Sequence, residues 1–230
     1  MRSPLSEESR AAILGLSVTQ RSFEPLSYIV READSPRHCG IVVSGFAYRQ
    51  KLTRSGTKQI LSLLIPGDPI DAQGLFLDVA DHSVQMLTRG TVALVPKSEM
   101  EELFETRKDV AHALLLTVLA EASMFREWIV NLGRRSGLER IAHLLCEFGA
   151  RLDAAGWHHT APYELPMTQE DLGDSVGLSP VHVNRSLKAL EEDNYVRRGR
   201  GTIRFDSWKA MRDLAGFNDR YLHLDRLRNR

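Results

Sequence analysis

An apolar seam with heptad spacing is the feature that most restricts how this chain folds. Between residues 107 and 135 there is no proline, and the only glycine is at position 133. Seven apolar residues recur there at alternating intervals of four and three, namely Ala111, Leu115, Val118, Ala122, Phe125, Ile129 and Leu132. This spacing predicts a helix whose apolar stripe packs against another helix. A long core helix of a monomer is one interpretation, but the unbroken seam favours a two-helix dimer interface.

The composition places the chain among ordinary globular proteins. It has 230 residues, of which 43% are hydrophobic and 26% are charged, enough for one large domain or two small ones. The polar N-terminus lacks the core of a signal peptide, and no apolar run approaches the roughly 18 residues of a membrane span. Cys39 and Cys146 are too few for a disulfide framework, so we expect packed thiols in a reducing cytoplasm.

The first hundred residues carry the pattern of a small antiparallel fold. Short apolar or β-branched runs occupy residues 41–43, 46–48, 59–64 and 91–95, with Gly- and Pro-containing turns between them. The pattern predicts a β-barrel or jelly roll over residues 1–106. Residues 107–136 then form a long helix and a hinge, and residues 137–230 form a further domain. The predicted fold class is therefore α+β.

Residues 168–192 carry the signals of two short helices joined by a tight turn. Thr168 is a predicted N-cap, with Asp171 three residues later in a capping-box arrangement. Gly177 ends the first helix, because glycine accepts the left-handed conformation that the turn requires. Ser179 caps the second helix and Pro180 occupies its first position. This pattern predicts a helix-turn-helix.

The polar residues of this segment predict DNA contacts. In a helix-turn-helix the start of the second helix meets base edges in the major groove. The candidate base contacts are Val181, His182, Asn184 and Arg185. The residues after the helix read as a basic β-hairpin, or wing, and the candidate phosphate contacts are Thr168, Ser179, Lys188, Arg197, Arg198 and Arg200. A lone helix-turn-helix pattern is a common false positive, but capped helices, glycine turn and basic hairpin together are more specific.

The order of barrel, long helix, hinge and winged helix-turn-helix resembles the Crp–Fnr regulator superfamily over nearly the whole chain. The matching residues are 67–70 and 74–76 in the barrel, and 168–173, 176–179 and 183–191 in the helix-turn-helix. The resemblance implies a cytoplasmic homodimeric transcription regulator that reads a palindromic site, with half-sites roughly 34 Å apart. RNA polymerase is a candidate partner through the predicted loop 153–166, although no residue there identifies the contact. The sequence does not distinguish an activator from a repressor.

The barrel departs from the family pattern where cyclic-nucleotide-binding members hold their ligand. Those members carry Gly-Glu and then Arg-Ser or Arg-Thr, whereas this chain has Asp71-Ala72 and His82-Ser83. Ala72 has no side-chain acceptor for a ribose hydroxyl, and Asp71 adds a negative charge beside the phosphate. We therefore expect a degenerate effector pocket and no regulation by cyclic AMP. Thr117 and Glu121, which flank the seam, lie where such members contact the base, but we interpret their polarity as heptad variation.

The sequence argues against a cofactor and leaves three alternative functions. Iron–sulfur clusters usually take four cysteine ligands and this chain has two, and nothing supports a haem, so no cofactor or metal is expected. The first alternative is a regulator gated by an unidentified small effector. The second is a cupin-type barrel enzyme, which needs clustered histidine ligands, whereas His38 and His82 are far apart. The third is a winged helix that binds protein.

Two further features concern contacts that the family pattern does not specify. Val181 replaces the family's usual glutamate four residues before Arg185, so the half-site is expected to differ from that of the family's best-known member. The final stretch, from residue 207 to 230, begins with Trp208, Met211 and Leu214 at helical spacing. The sequence leaves open whether this stretch packs on the hinge, packs on the barrel or forms a mobile tail.

Overall fold

The computed structural model describes residues 4–156 and 163–224. The chain forms two compact units. Of the described residues, the first contains those up to Lys51 together with Ser62–Ala122, and the second contains Leu52–Leu61 and those from Ser123 to Leu224. Among the described residues, no helix is long and apolar enough to span a bilayer.

Seven antiparallel strands form two sheets in the N-terminal part of the chain. They are β1 (Thr19–Phe23), β2 (Tyr28–Val30), β3 (His38–Ser44), β4 (Ala47–Leu52), β5 (Lys58–Leu64), β6 (Ser83–Met86) and β7 (Gly90–Pro96). One sheet has the order β1-β7-β3 and the other β2-β6-β4-β5. Val42 and Val92 of the first sheet and Val84 and Met86 of the second form one buried core. The α+β class with an N-terminal antiparallel β domain is thus confirmed.

Three helices accompany these sheets, and only the third was predicted from the sequence. They are α1 (Glu7–Leu14), α2 (Lys97–Thr106) and α3 (Lys108–Arg134). Leu5, Leu103 and Val110 form a small apolar cluster that joins the three segments. With 27 residues, α3 is about 40 Å long, as the seam predicted.

The second unit is built around one buried helix. Its helices are α4 (Gly137–Ala154), α5 (Gln169–Val176), α6 (Pro180–Glu192) and α7 (Trp208–Ala215). The other three pack on α4, which buries Ile141, Leu145 and Phe148 among other residues. Three short strands, β8 (Tyr163–Glu164), β9 (Val196–Arg198) and β10 (Thr202–Phe205), form a sheet in the order β8-β10-β9.

The structure corrects one expectation for this unit and bears on one question that the sequence left open. Residues 163–164, predicted as loop, form strand β8, with Tyr163 opposite Ile203 of β10. Residues 157–162 of the same predicted loop lie outside the described residues. The C-terminal stretch is not a free tail as far as residue 224, because Leu222 is fully buried and a 3₁₀ turn, Asp219–Leu222, packs against α4.

Candidate functional site

The two helices of the predicted helix-turn-helix begin and end where their capping residues predicted. The Thr168 hydroxyl accepts from the backbone N–H of Asp171 at 3.1 Å, and the Asp171 carboxylate accepts from the N–H of Thr168 at 3.0 Å. Gly177 adopts the left-handed conformation at φ 65°, and Ser179 caps α6 by accepting from the N–H of His182. These local hydrogen bonds fix the start of α6.

A glycine inside α5 allows the turn to pass close to that helix. A Cβ at position 173 would lie 2.4 Å from the carbonyl oxygen of Leu178. The N–H of Leu178 instead donates to the Gly173 carbonyl at 3.1 Å. Glycine fits at position 173 because it has no Cβ, and the turn can therefore bring α6 against α5.

Helix α6 has one buried face and one exposed face. Val183, Leu187 and Leu190 are buried against the rest of the domain. The four candidate base contacts, Val181, His182, Asn184 and Arg185, are all exposed in its first half. Val181 is 70% exposed, which leaves its side chain available for an apolar contact.

The candidate phosphate contacts differ in how free their polar groups are. Arg200 is exposed in the turn between β9 and β10, and Lys188 is exposed on α6 with Glu192 3.7 Å from its Nζ. Arg197 is 68% exposed although its Nε lies 2.9 Å from Asp206. The exposed hydroxyl of Thr168 also donates to the Asp171 carboxylate at 2.7 Å.

Arg198 is the candidate with the most restricted side chain. Its guanidinium pairs with the Glu191 carboxylate at the end of α6, and its N–H donates to the same carboxylate at 3.2 Å. The hydrogen bond from the Arg198 side chain is the main cause that lowers the pKa of Glu191. Through these contacts Arg198 links the wing to α6.

The four residues of the predicted effector pocket have side chains that are buried or hydrogen-bonded within the N-terminal unit. Asp71 is 3% exposed, accepts from the N–H of Gly74 at 3.1 Å, and leaves Oδ2 without a hydrogen-bond partner among the described residues. Ala72 and His82 are buried, and His82 Nδ1 lies 2.7 Å from the Asp81 carboxylate. Hydrogen bonding to His82 lowers the pKa of Asp81. The Ser83 hydroxyl accepts from the N–H of Glu32.

A buried arginine that sequence analysis missed joins residues 67–83, here called the cassette, to the long helix. The Arg49 side chain is 6% exposed, and its guanidinium donates to the carbonyls of Pro69 and Ile70 at 2.9 and 3.2 Å. The same Nη2 lies 3.0 Å from the Glu121 carboxylate on α3. Our interpretation of Glu121 as heptad variation is therefore wrong, because it is the counter-ion of Arg49.

The predicted seam lies along α3 with a series of exposed apolar side chains. Leu115, Val118, Phe125 and Ile129 are 54%, 37%, 38% and 69% exposed. Ala111, Ala122 and Leu132 are half-buried. Near its N-terminal end, the seam borders an apolar cavity of about 260 Å³ that is lined by Phe76, Phe104 and Leu114 among others.

The two cysteines are packed thiols, as expected. Cys146 is buried within α4, and burial raises its pKa. Cys39 on β3 is partly buried, and desolvation together with the charge of Asp71 raises its pKa to about 12. Neither environment favours a reactive thiolate.

Comparison with known families matches both parts of the chain. The profile of the Crp-like helix-turn-helix domain matches residues 139–214, and the profile of the cyclic nucleotide-binding domain matches residues 20–107. The transcriptional activator protein FnrL of Cereibacter sphaeroides is 28% identical over 180 residues, covering 76% of this chain and 71% of that protein.

Two further relatives show the same similarity in sequence and in structure. The nitrogen fixation regulation protein FixK of Bradyrhizobium diazoefficiens is 31% identical over 152 residues, which cover 65% of this chain and 62% of that protein. The solved structure of FixK2 from Bradyrhizobium japonicum matches with a TM-score of 0.79 and 26% identity, over 88% of this chain and 100% of that one. These relatives are transcription regulators and not enzymes, so the cupin-type alternative is not supported.

Proposed function

Because this chain belongs to the Crp–Fnr superfamily of DNA-binding transcription regulators, we propose that it binds a palindromic operator as a homodimer and needs no cyclic nucleotide. The observation that carries the proposal is the two-faced α6, whose buried stripe fixes the helix while Val181, His182, Asn184 and Arg185 are exposed. A two-fold dimer presents two such helices to half-sites about one helical turn apart.

Each exposed group on α6 has a matching base edge. Arg185 donates two hydrogen bonds to a guanine, Asn184 pairs with an adenine, and Val181 contacts a thymine methyl. His182 supplies a further contact beside them. Phosphates are held by Lys188 and by the wing, and these charges set the register without selecting sequence.

The exposed seam supports the dimer. A helix that packed only within its own chain would not leave Leu115 and Ile129 more than half exposed. A second copy of α3 covers these side chains in a coiled-coil contact beside the apolar cavity. The dimer therefore removes the free-energy cost of exposing these apolar side chains of α3 to water.

The Arg49–Glu121 pair supports independence from cyclic nucleotides. Arg49 already connects the cassette carbonyls to α3, and its charge is balanced by Glu121. A cyclic phosphate would have to displace the Glu121 carboxylate from a buried partner, and breaking a buried pair is costly. The alternative of a different small effector rests on the apolar cavity near the seam, which suits an uncharged ligand.

We place the dimer in the cytoplasm, where bacterial operators are accessible, and keep RNA polymerase as a candidate second partner. The predicted polymerase contact falls on residues 153–166, of which 157–162 lie outside the described part. A pull-down of polymerase by the dimer on promoter DNA tests this partner.

The direct test is selection of binding sites from random DNA by the purified protein without added ligand. The proposal expects one palindrome with half-sites about one helical turn, roughly 34 Å, apart. If a folded dimer enriches no sequence, the effector-free proposal fails, and apolar compounds for the cavity become the next candidates. If a monomer alone binds a single half-site, the dimeric proposal fails.

A matched pair of arginine variants then separates base reading from phosphate binding. Arg185→Ala is expected to relax specificity at one base pair and to cost about 1–3 kcal/mol, whereas Arg200→Ala weakens all sequences alike and flattens the salt dependence. Both proteins are titrated against the selected operator and its single-base variants at several salt concentrations. Unchanged base preference in the Arg185 variant contradicts the assignment.

A further inference from the structure

The connection between α3 and α4, here called the elbow, sets the position of α6, the predicted recognition helix. α3 ends at Arg134 and α4 begins at Gly137, so only Arg135 and Ser136 separate them. Because α6 packs on α4, a change of angle at this elbow moves the base-reading side chains relative to the last turns of α3. Short connections of this kind absorb the backbone rotations of hinge motions.

A buried carboxylate ties the two sides of the elbow together. Glu147 on α4 is 2% exposed. The indole Nε1 of Trp128, on α3, donates to both of its oxygens at 3.0 Å. The hydroxyl of Tyr221, in the C-terminal segment, donates to Oε2 at 2.7 Å. A buried carboxylate needs such donors, so the three side chains hold one another in a fixed arrangement.

The C-terminal segment also contacts α3 directly. His223 Nε2 lies 3.2 Å from the hydroxyl of Ser123 on α3. Leu222, between Tyr221 and His223, and Leu224, directly after His223, are buried. The segment from residue 218 to 224 thus has one contact on α4, at Tyr221, and another on α3, at His223.

We propose that residues 218–224 form a strap across the α3–α4 elbow, and that Tyr221 and Glu147 are positioning residues that fix the separation of the two recognition helices. The inference rests on the proposed dimer on a palindromic site, since the elbow angle in each copy sets the half-site spacing that the dimer accepts. Within this strap the hydrogen bond from Tyr221 to Glu147 restrains rotation, and the Ser123–His223 contact holds the other end.

The test measures the half-site spacing that the dimer prefers. The selected operator is compared with versions in which the spacing is one base pair longer or shorter, and the affinities are expressed relative to the best spacing. The variants are Tyr221→Phe, Glu147→Gln and Ser123→Ala. Tyr163→Phe is the matched control, because its buried hydroxyl donates to the Leu145 carbonyl at 3.2 Å without crossing the elbow. All proteins are compared well below their unfolding temperatures.

The outcomes separate the strap from the dimer proposal and from a general loss of stability. If the strap positions the helices, Tyr221→Phe and Glu147→Gln reduce the spacing preference by at least about fivefold, the lower end of typical coupling between sites. Ser123→Ala, at a more exposed position, shifts it in the same direction, and Tyr163→Phe leaves it unchanged. Unchanged preference in all variants, or an equal shift in the control, overturns the strap. A wild-type protein with no spacing preference overturns the dimer on a palindrome instead.

Discussion

A buried histidine in the DNA-binding unit makes the stability of this protein depend on pH. His143 on α4 is 1% exposed, and its ring lies parallel to that of Tyr221, with centroids 5.9 Å apart. Its Nε2 is 3.3 Å from the Glu127 carboxylate, but Arg135 already pairs with that carboxylate at 2.6 Å. Burial, aided by the charge of Arg135, lowers the pKa of His143 to about 3.

The sign of the effect follows from proton binding. The unfolded chain takes up a proton on this imidazole with a pKa of about 6.5, whereas the folded protein does so only near pH 3. Between these two values the unfolded state binds more protons, so the free energy of unfolding decreases as the pH falls. The slope approaches about 1.4 kcal/mol per pH unit, and His143 therefore costs about 2 kcal/mol at pH 5.

Glu147, on the same helix, acts in the opposite direction. Burial raises the pKa of its carboxyl group, so the folded protein binds that proton at a higher pH than the unfolded chain does. This group stabilises the fold as the pH falls, and the pH dependence of the wild-type protein alone mixes both effects. His143→Phe keeps an aromatic ring beside Tyr221 and leaves the hydrogen bonds to Glu147 in place. The difference between variant and wild type isolates His143.

The assay is urea unfolding of both proteins at pH 7.5, 6 and 5, at one protein concentration. The variant is expected to gain about 2 kcal/mol relative to the wild type between pH 7.5 and pH 5. His182→Phe replaces an exposed imidazole of the same domain and controls for the loss of one histidine. Packing losses in His143→Phe shift its curve by a constant amount and leave the slope informative. Parallel curves for variant and wild type would refute the reasoning.

Two further predictions concern the dimer and the cassette. Ile129→Glu places a charge in the seam and is expected to give a monomer in sedimentation at micromolar concentrations, whereas Val130→Glu, one residue off the seam, stays dimeric; equal dissociation of both would contradict the seam. Arg49→Met leaves the Glu121 carboxylate and two carbonyls without their donor and is expected to cost about 3 kcal/mol in urea unfolding. Adding Glu121→Gln should recover at least about 1 kcal/mol of this loss, and additive effects would show that the pair is not coupled.

The helix-turn-helix could be predicted to the residue because its boundaries are set by local chemistry. Thr168, Gly177 and Ser179 each satisfy or end the backbone hydrogen bonds of their own helix, and the structure contains these bonds. The seam on α3 was predictable for a similar reason, since its spacing alone places the apolar side chains on one stripe. Both features depend on residues that are close together in the sequence.

The features that the sequence did not reveal depend on distant partners. Strand β8 has only two residues and is defined by its pairing with β10, so the residues themselves resembled a loop. Tyr221 was unassigned because its role arises from Glu147, which belongs to another helix. Helices α1 and α2 are short, and each buries one residue, Ser9 and Leu103. Leu103 packs with Leu5 and Val110, which lie outside both helices, so no local period indicates this cluster. No spacing rule within one sequence connects such distant pairs.

The predicted loss of the cyclic-nucleotide contacts did not reveal the ion pair that lies beside them. In the sequence, Ala72 and His82 replace the residues that make the usual contacts to a cyclic nucleotide, which predicts a degenerate effector pocket. The structure shows a buried guanidinium at this motif, and an unpaired guanidinium would attract a phosphate. In this protein the Glu121 carboxylate lies 3.0 Å from Arg49 and neutralises the charge of its guanidinium. Because Glu121 belongs to α3, the protein's own side chains join the cassette to the long helix.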